Sequence, residues 1–397
     1  MNIKTKFQQN NTKMKKIDIV YPSSLSSAIG PSQIINRLKD SRNIFIENDI
    51  ELNVFDRKLK NFKGKRYLKE NIQNKILGSE RIYAYLFIIR TEFNRFKFIK
   101  NYCNKKRDVD IVVLEHLTAF LYFTMMNKNQ SLKLVLWQHN SGDISDMGKK
   151  RFPSIKNSLL YKIIENLFFK RINRLDRIVF DSKYGKNNFD KRHPKYKDKT
   201  VALIIGIPDN EYNIEYNINS NEQIKLITVG TVSKRKGQDI ILRALANLDE
   251  KMLNNFHLTI VGEGPEYMQF KQLASDLNIE KNVRFVGEKE QNEVFKLLSK
   301  SSIFILMSHS EGLPQSNIEA LRFGLPIITS NVVGCPETVS NNNGFVLNPD
   351  VSELTHILKN INRNELKTMS KNSRDLFEKE YRFDSFLEKY IKLMIGV

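Results

Sequence analysis

Six short apolar runs in the C-terminal half, Lys225–Val229, His257–Val261, Val283–Val286, Ile303–Met307, Pro326–Thr329 and Phe345–Leu347, are each followed by a helical stretch. Short apolar runs bounded on both sides suit strands buried on two faces, and strands separated by helices must run parallel, since no tight turn can join them. The N-terminal half repeats the alternation less regularly. Ile17–Tyr21, Glu51–Phe55, Asp110–Leu114, Lys133–Trp137, Arg177–Phe180 and Val201–Ile205 read as strands, with helices near Gln33–Leu38, through Met126 and over 158–172. Between the halves, residues 208–223 are polar, Asn-rich and without apolar periodicity, which marks a linker. The expectation is an α/β chain of two doubly wound, Rossmann-like domains. Folds of this kind place ligands at the C-terminal ends of their strands, here in the cleft between the two domains.

The boundaries that follow are a disordered tail over 1–15, an N-terminal domain over 16–207, the linker over 208–223 and a C-terminal domain over 224–381. A last helix within 382–397 carries Phe386, Leu387, Tyr390, Ile391 and Met394 on one side and is expected to return to the N-terminal domain. A length of 397 residues gives each domain enough chain for its own core. Cys103 and Cys335 form neither a disulfide framework nor a CxxC site, which fits a reducing cytosol. The first residues are basic without an apolar segment, so they do not read as a signal peptide, and Met14 is an alternative start. No apolar run approaches the roughly 18 residues expected of a membrane-spanning helix.

The net charge of +20 is concentrated in two places. Residues 57–107 hold 16 Lys and Arg against 3 Glu, and residues 149–174 hold 8 against 1, so these stretches carry the whole excess. Each also contains an apolar stripe at helical spacing: Ile82, Tyr85, Leu86, Ile89, Phe93 and Phe96 in the first, and Leu160, Ile163, Ile164, Leu167 and Phe168 in the second. Such regions serve as nucleic-acid surfaces, as solvated helices, or as attachments to an anionic membrane. With no nucleic-acid motif in the chain, basic residues bordering Phe, Leu and Ile favour the membrane, although the stripes would equally suit packing on the core.

The most informative stretch is Ser308–Pro326, SHSEGLPQSNIEALRFGLP. A strand, a turn at Gly312, Leu313 and Pro314, and a helix start make an anion site, because free N–H groups and the helix dipole face the ligand. Glu311 and Glu319 bracket that turn. Carboxylates would repel a bare phosphate and suit hydroxyl groups instead, so the pattern describes a nucleotide, a sugar, or both.

In this stretch, Glu311 and Glu319 with the surrounding SxxEGxPxxxxEAxxxGxPI frame resemble the E-x7-E motif of retaining glycosyltransferases of family 4, with the GT-B fold. Four further segments carry the likeness, which covers about residues 225–350 well and the rest loosely. Gly230-Thr231-Val232-Ser233-Lys234-Arg235-Lys236-Gly237 resembles the donor-phosphate loop, with Lys236 at the diphosphate. Relatives have Arg where Thr231 stands, and Arg235 or Lys234 is the candidate replacement. Val261-Gly262-Glu263-Gly264-Pro265 is similar to a turn in which glycines serve the backbone. Gly287 and Glu288 match the strand end against the nucleotide base. Asn331–Glu337 resembles a loop with two glycines, and Cys335 stands where one is usual.

In the N-terminal half, Gly30 sits where relatives have a Gly-rich loop near donor phosphate or acceptor. His139 matches an active-site His that contacts the donor sugar, and His116 is a weaker acceptor candidate. Asp108-Val109-Asp110 looks like a metal-binding DxD but precedes its strand, so no metal or other cofactor is expected.

The resemblance implies transfer of a sugar from a nucleotide-diphosphate donor to an acceptor hydroxyl with retention. The C-terminal domain would bind the donor and the N-terminal domain the acceptor. Glu311, His139 and Lys236 are the catalytic candidates. Glu319, Gly312, Leu313, Pro314, Gly230, Thr231, Arg235, Gly287 and Glu288 are the donor-binding ones. The basic N-terminal domain points to a glycan or lipid-linked acceptor of bacterial surface polysaccharide synthesis, such as lipopolysaccharide, handled at the inner face of the cell membrane. A nucleotide-sugar epimerase of the same fold, or a basic nucleic-acid- or membrane-binding protein with an inactive cleft, is the alternative.

Overall fold

The computed structural model describes residues 13–26, 30–57, 80–143, 153–209, 222–340 and 342–397. The tail before residue 13, Ser27–Ile29, the basic run 58–79, residues 144–152 and most of the expected linker (210–221) lie outside them. The chain forms two units, one of Met1–Phe180, Asp190–Val201 and Leu387–Val397, the other of Asp181–Phe189 and Ala202–Phe386.

The first unit holds strands β1 (Lys15–Tyr21), β2 (Ile50–Asp56), β3 (Ile111–Leu114), β4 (Lys133–Gln138), β5 (Arg177–Phe180) and β6 (Thr200–Ala202) in the order β2-β1-β3-β4-β5-β6. The second holds β7 (Ile224–Val229), β8 (Phe256–Val261), β9 (Val283–Phe285), β10 (Ile303–Leu306), β11 (Ile327–Ser330) and β12 (Gly344–Leu347) in the order β12-β11-β10-β7-β8-β9. The pairings from β2 to β5 and all those of the second sheet are parallel. The inner strands β3, β10 and β11 are buried along their whole length and read as unbroken apolar runs, while the edge strands β2, β6, β9 and β12 are only partly buried. In β10, Ile303 and Ile305 enter one apolar cluster while Phe304 and Leu306 enter another, on opposite faces of the pleat. The architecture is the GT-B fold.

In the second sheet the chain winds outward from β7 to β9, returns past β7 to β10, and continues the other way to β12. Loops leaving β7 and β10 therefore diverge, and an open α/β sheet takes its ligand at that reversal. The helix Gln315–Arg322, which follows β10, buries Ile318, Ala320 and Leu321 against the sheet.

The structure departs from the expected elements in two instructive places. β6 ends at Ala202, short of the expected Val201–Ile205, because Ile204 and Ile207 pack in the second unit's core and Ile207 bridges to Arg382. The helix Glu80–Cys103 buries Tyr83, Ala84, Ile99 and Tyr102 and leaves the expected stripe outward, with Ile89 and Phe93 63% and 65% exposed. The last helix, Phe383–Ile395, belongs to the first unit from Leu387 onward. There Tyr390 lies edge-on to Phe45 at 5.9 Å and beside Trp137 at 5.7 Å. No helix among the described residues is long and apolar enough to cross a membrane.

A methyl group on Gly344 would lie 1.9 Å from the carbonyl oxygen of Ile327 in the neighbouring strand. Gly344→Ala is expected to cost about 1–3 kcal/mol of overpacking strain, read as a lower urea midpoint with an unchanged slope.

Candidate active site

The loop after β7 is shaped by glycines that only close backbone packing explains. Gly230 has φ 146°, and a side chain on Gly262 would meet its carbonyl oxygen at 2.1 Å. Gly237 has φ 69° and lies so close to Met307 that a methyl group would overlap that residue's carbonyl. Between them Lys234–Lys236 form one 3-10 turn. Gln238 locks this turn by accepting from Ser233 N–H at 3.2 Å and donating to the Thr231 carbonyl at 3.1 Å.

The loop after β10 is strapped to that turn. His309 N–H and the Ser308 hydroxyl both donate to the Arg235 carbonyl, at 2.8 and 2.9 Å. Glu311 closes the cluster: one of its carboxylate oxygens lies 2.8 Å from Lys236 Nζ and 3.0 Å from Arg235, and accepts from Ser308 Oγ at 2.8 Å. Arg235 also donates to the Ser310 carbonyl at 2.7 Å. Burial pushes the Glu311 carboxyl up, but the charges of Lys236 and Arg235 with the hydrogen bonds outweigh it and hold the group below the usual range. Glu311 is thus an anion at neutral pH. An ammonium has three donor hydrogens and a guanidinium five, so both cations can hold Glu311 and still present N–H to a diphosphate.

Gly312 touches the loop that follows β11. Gly334 N–H donates to its carbonyl at 2.9 Å, and a side chain on Gly334 would come within 2.4 Å of that oxygen. The close approach is made by Gly334, which leaves Cys335 free to be a core residue, its thiol pushed up to about 12 chiefly by burial. Leu313 is buried, Pro314 precedes the first helical residue, and Glu319 is buried one turn further along. Thr231 is exposed at the loop start. Gly287, at φ 70°, accepts from Gly262 N–H at 2.8 Å, so the ends of β7, β8 and β9 lie side by side with Glu288 exposed beside them.

In the first unit the candidates have structural partners. His139, just after β4, is 2.6 Å from the buried carboxylate of Glu115 and stacks on Trp137 at 5.7 Å. His116 caps the helix Leu117–Met126, its Nδ1 taking the Thr118 N–H at 3.2 Å. Burial and the charges of Arg95 and His139 push its imidazole well below its ordinary value, so it is neutral. A capping role accounts for His116 without an acceptor. Gly30 opens the helix Gly30–Asp40. Asp108 pairs with Lys16 at 2.6 Å, and Asp110 accepts the Lys16 N–H at 2.8 Å, so the DxD-like pair anchors the start of β1.

The structure gathers Glu311, Lys236, Arg235, Gly230 and Gly312 in the second unit and His139 with His116 in the first. Sequence reasoning passed over three partners: Ser308, which holds Glu311; Gln238, which locks the basic turn; and Glu115, which holds His139. All three adjoin or lie within the quoted motifs, but a hydrogen-bond partner across two loops leaves no periodic trace. Glu337 was also passed over. It accepts the N–H groups of Lys183 and Tyr184 at 3.0 and 2.7 Å, and burial pushes its carboxyl up.

Known proteins share part of this sequence and the fold of this chain. Residues 209–376 match the family of glycosyl transferases group 1. The chain is 28% identical over 283 residues to N-acetyl-alpha-D-glucosaminyl L-malate synthase of Bacillus anthracis, covering 68% of this chain and 69% of that one. It is 27% identical over 242 residues to the capsular polysaccharide biosynthesis glycosyltransferase CapH of Staphylococcus aureus, covering 60% and 63%. The structure of Anabaena HepE in complex with UDP superposes with a TM-score of 0.67 over 96% of this chain and 100% of that one, at 14% identity. The family match and the shared fold together support a glycosyltransferase of GT-B type.

Because Glu311 has a lower pKa folded than unfolded, the unfolded chain binds its proton more readily and the cluster stabilises the fold fully above the ordinary carboxylate range. The stability gap between wild type and Glu311→Gln is expected to be about 2 kcal/mol at neutral pH and to shrink as pH falls below about 4.5. Denaturant titrations at several pH values measure it, and a pH-independent gap would remove the ion cluster from the explanation.

Proposed function

We propose that this protein transfers a sugar from a nucleotide-diphosphate sugar to an acceptor hydroxyl with retention of configuration, as in family 4. The observation that carries the reading is the convergence of Lys236, Arg235 and Glu311 where the loops after β7 and β10 diverge. Two cations at this place can neutralise the charge that grows on a leaving diphosphate. Arg235 supplies the cation missing at Thr231.

Donor binding follows from the same loops. The start of the helix after Gly312 faces the diphosphate, Glu319 holds the ribose hydroxyls, Glu311 contacts the sugar ring, and the backbone at Gly287 and Glu288 meets the base. The assignment of His139 to the donor sugar rests on the resemblance of its motif. The bond between the anomeric carbon and the diphosphate oxygen breaks, the acceptor oxygen bonds to that carbon on the same face, and the acceptor proton passes to the diphosphate. Charge stabilisation in this scheme belongs to Lys236 and Arg235, with no metal. The role of CapH in capsular polysaccharide biosynthesis and the UDP bound to HepE support a nucleotide-sugar donor and a place in polysaccharide synthesis. The acceptor is a membrane-located or lipid-linked glycan of a bacterial surface polysaccharide, and the protein works as a peripheral protein at the cytoplasmic face.

Thermal shifts against UDP-, GDP- and ADP-sugars should show stabilisation by one base class. Lys236→Ala and Glu319→Ala should each weaken that binding about tenfold or more, since each removes a charge-assisted contact, while leaving the fold intact. Undiminished donor affinity in both variants would remove the site assignment.

A further inference from the structure

We propose that the outward face of the helix Glu80–Cys103 is a docking surface for an anionic lipid bilayer. The inference deepens the reading of a membrane-located acceptor. It rests on that reading for its purpose, and on its own observations for its existence.

This helix is apolar on two faces. One face is accounted for: Tyr83 and Ala84 pack with Ile155 and Tyr161, while Arg95 donates to Thr118 at 2.7 Å; Phe96, at the edge of the other face, meets Tyr122 edge-on at 5.4 Å. On the other, Ile82, Leu86, Ile89 and Phe93 are 50–65% exposed, with Tyr85 and Phe96 at 39% and 36%. At helical spacing these six side chains fall within an arc of about 100°, and from Ile82 to Phe96 they run about 21 Å along the axis. Large apolar side chains in one continuous row on a protein surface mark a place of association. On the helix Leu159–Arg171, Tyr161 packs in the same cluster as Tyr83, and Leu159 and Ile163 are 71% and 47% exposed.

Charge selects the partner. The exposed charged side chains described on the long helix are Arg81, Arg90, Lys97 and Lys100, all basic. At helical spacing Arg90 and Lys97 line one border of the stripe, Arg81 the other, and Lys100 its end. Glu92 is turned to Arg95 and Tyr122. Exposed Lys156, Lys162 and Lys170 add to the same sign on the neighbouring segment. A second copy meeting this face would bring basic borders against one another. An anionic surface with an apolar interior satisfies both the rim and the stripe, with the helix lying in the interface and its Phe, Ile and Leu side chains sunk among the acyl chains. The helix does not cross the bilayer, since no helix among the described residues meets that requirement.

The test uses the full chain with vesicles of phosphatidylglycerol and phosphatidylethanolamine, and a variant combining Ile89→Ser with Phe93→Ser. Both substitutions replace exposed side chains, so the folded state should persist, as circular dichroism checks. Wild type should sediment with the vesicles, less so at high salt and far less with phosphatidylcholine alone, and the double variant should lose at least tenfold in partitioning. A second double variant, Arg90→Gln with Lys97→Gln, should lose the dependence on anionic lipid. Equal partitioning of wild type and the Ser variant would overturn the proposal. So would a wild-type dimer in light scattering that the Ser variant dissociates, with no vesicle binding, which would assign the face to a second copy. Donor binding by thermal shift is measured beside these. Its absence from wild type with vesicle binding intact would count against sugar transfer alone, and its retention in both double variants would show that docking is separate from the donor site.

Discussion

Parallel strands cannot be joined by tight turns, and that constraint shapes everything functional in this protein. Each crossover must leave one end of the sheet and return through a helix, so the loops gather at the C-terminal strand ends. In the second sheet the order reverses between β7 and β10. The loops on either side are pulled apart there, and the gap is lined by backbone that glycines at 237 and 262 allow to lie closer than any side chain would, while Gly230 supplies a φ of 146°. The cations and Glu311 are placed by that packing. Their position follows from the sheet before any charge is considered.

Electrostatics then sets what the gap can do. The Glu311 carboxylate between a lysine and an arginine is ionised, and it holds both partners without exhausting their hydrogen-bond capacity. Ser308 and the Arg235 carbonyl tie the two loops together, so the cations are held by neutral hydrogen bonds as well as by charge. Arg235 reaches the Glu311 carboxylate from four residues beyond Thr231, the exposed residue at the start of the same loop.

The long helix of the first unit poses the opposite problem. Its sequence is apolar on two faces, and the core can use only one. Arg95 and Glu92 pair with each other and engage Thr118 and Tyr122, which fixes the rotation of the helix against its neighbour and turns Ile89 and Phe93 outward. The basic residues of the helix then border apolar surface.

Much of this was legible in the residues. Apolar runs located every strand but β6 to within two residues at either end, because a buried inner strand imposes an unbroken apolar run, whereas β6 stops three residues before its expected end. The Ser308–Pro326 stretch located the strand, the glycine turn and the helix start with Glu311 and Glu319 on either side, since a glycine turn before a helix is a local property of the chain. What periodicity could not decide was which apolar face of the helix Glu80–Cys103 would be buried, because both fit a helix equally and only the neighbouring helix chooses between them. Nor could it say that His116 is a cap, that Gly334 rather than residue 335 makes the close approach, or that Ile204 and Ile207 serve the second core. Strand and turn are written in near neighbours. The meeting of Glu311 with Arg235 joins residues 76 positions apart, and only the packing of two crossovers against one sheet brings them within 3.0 Å.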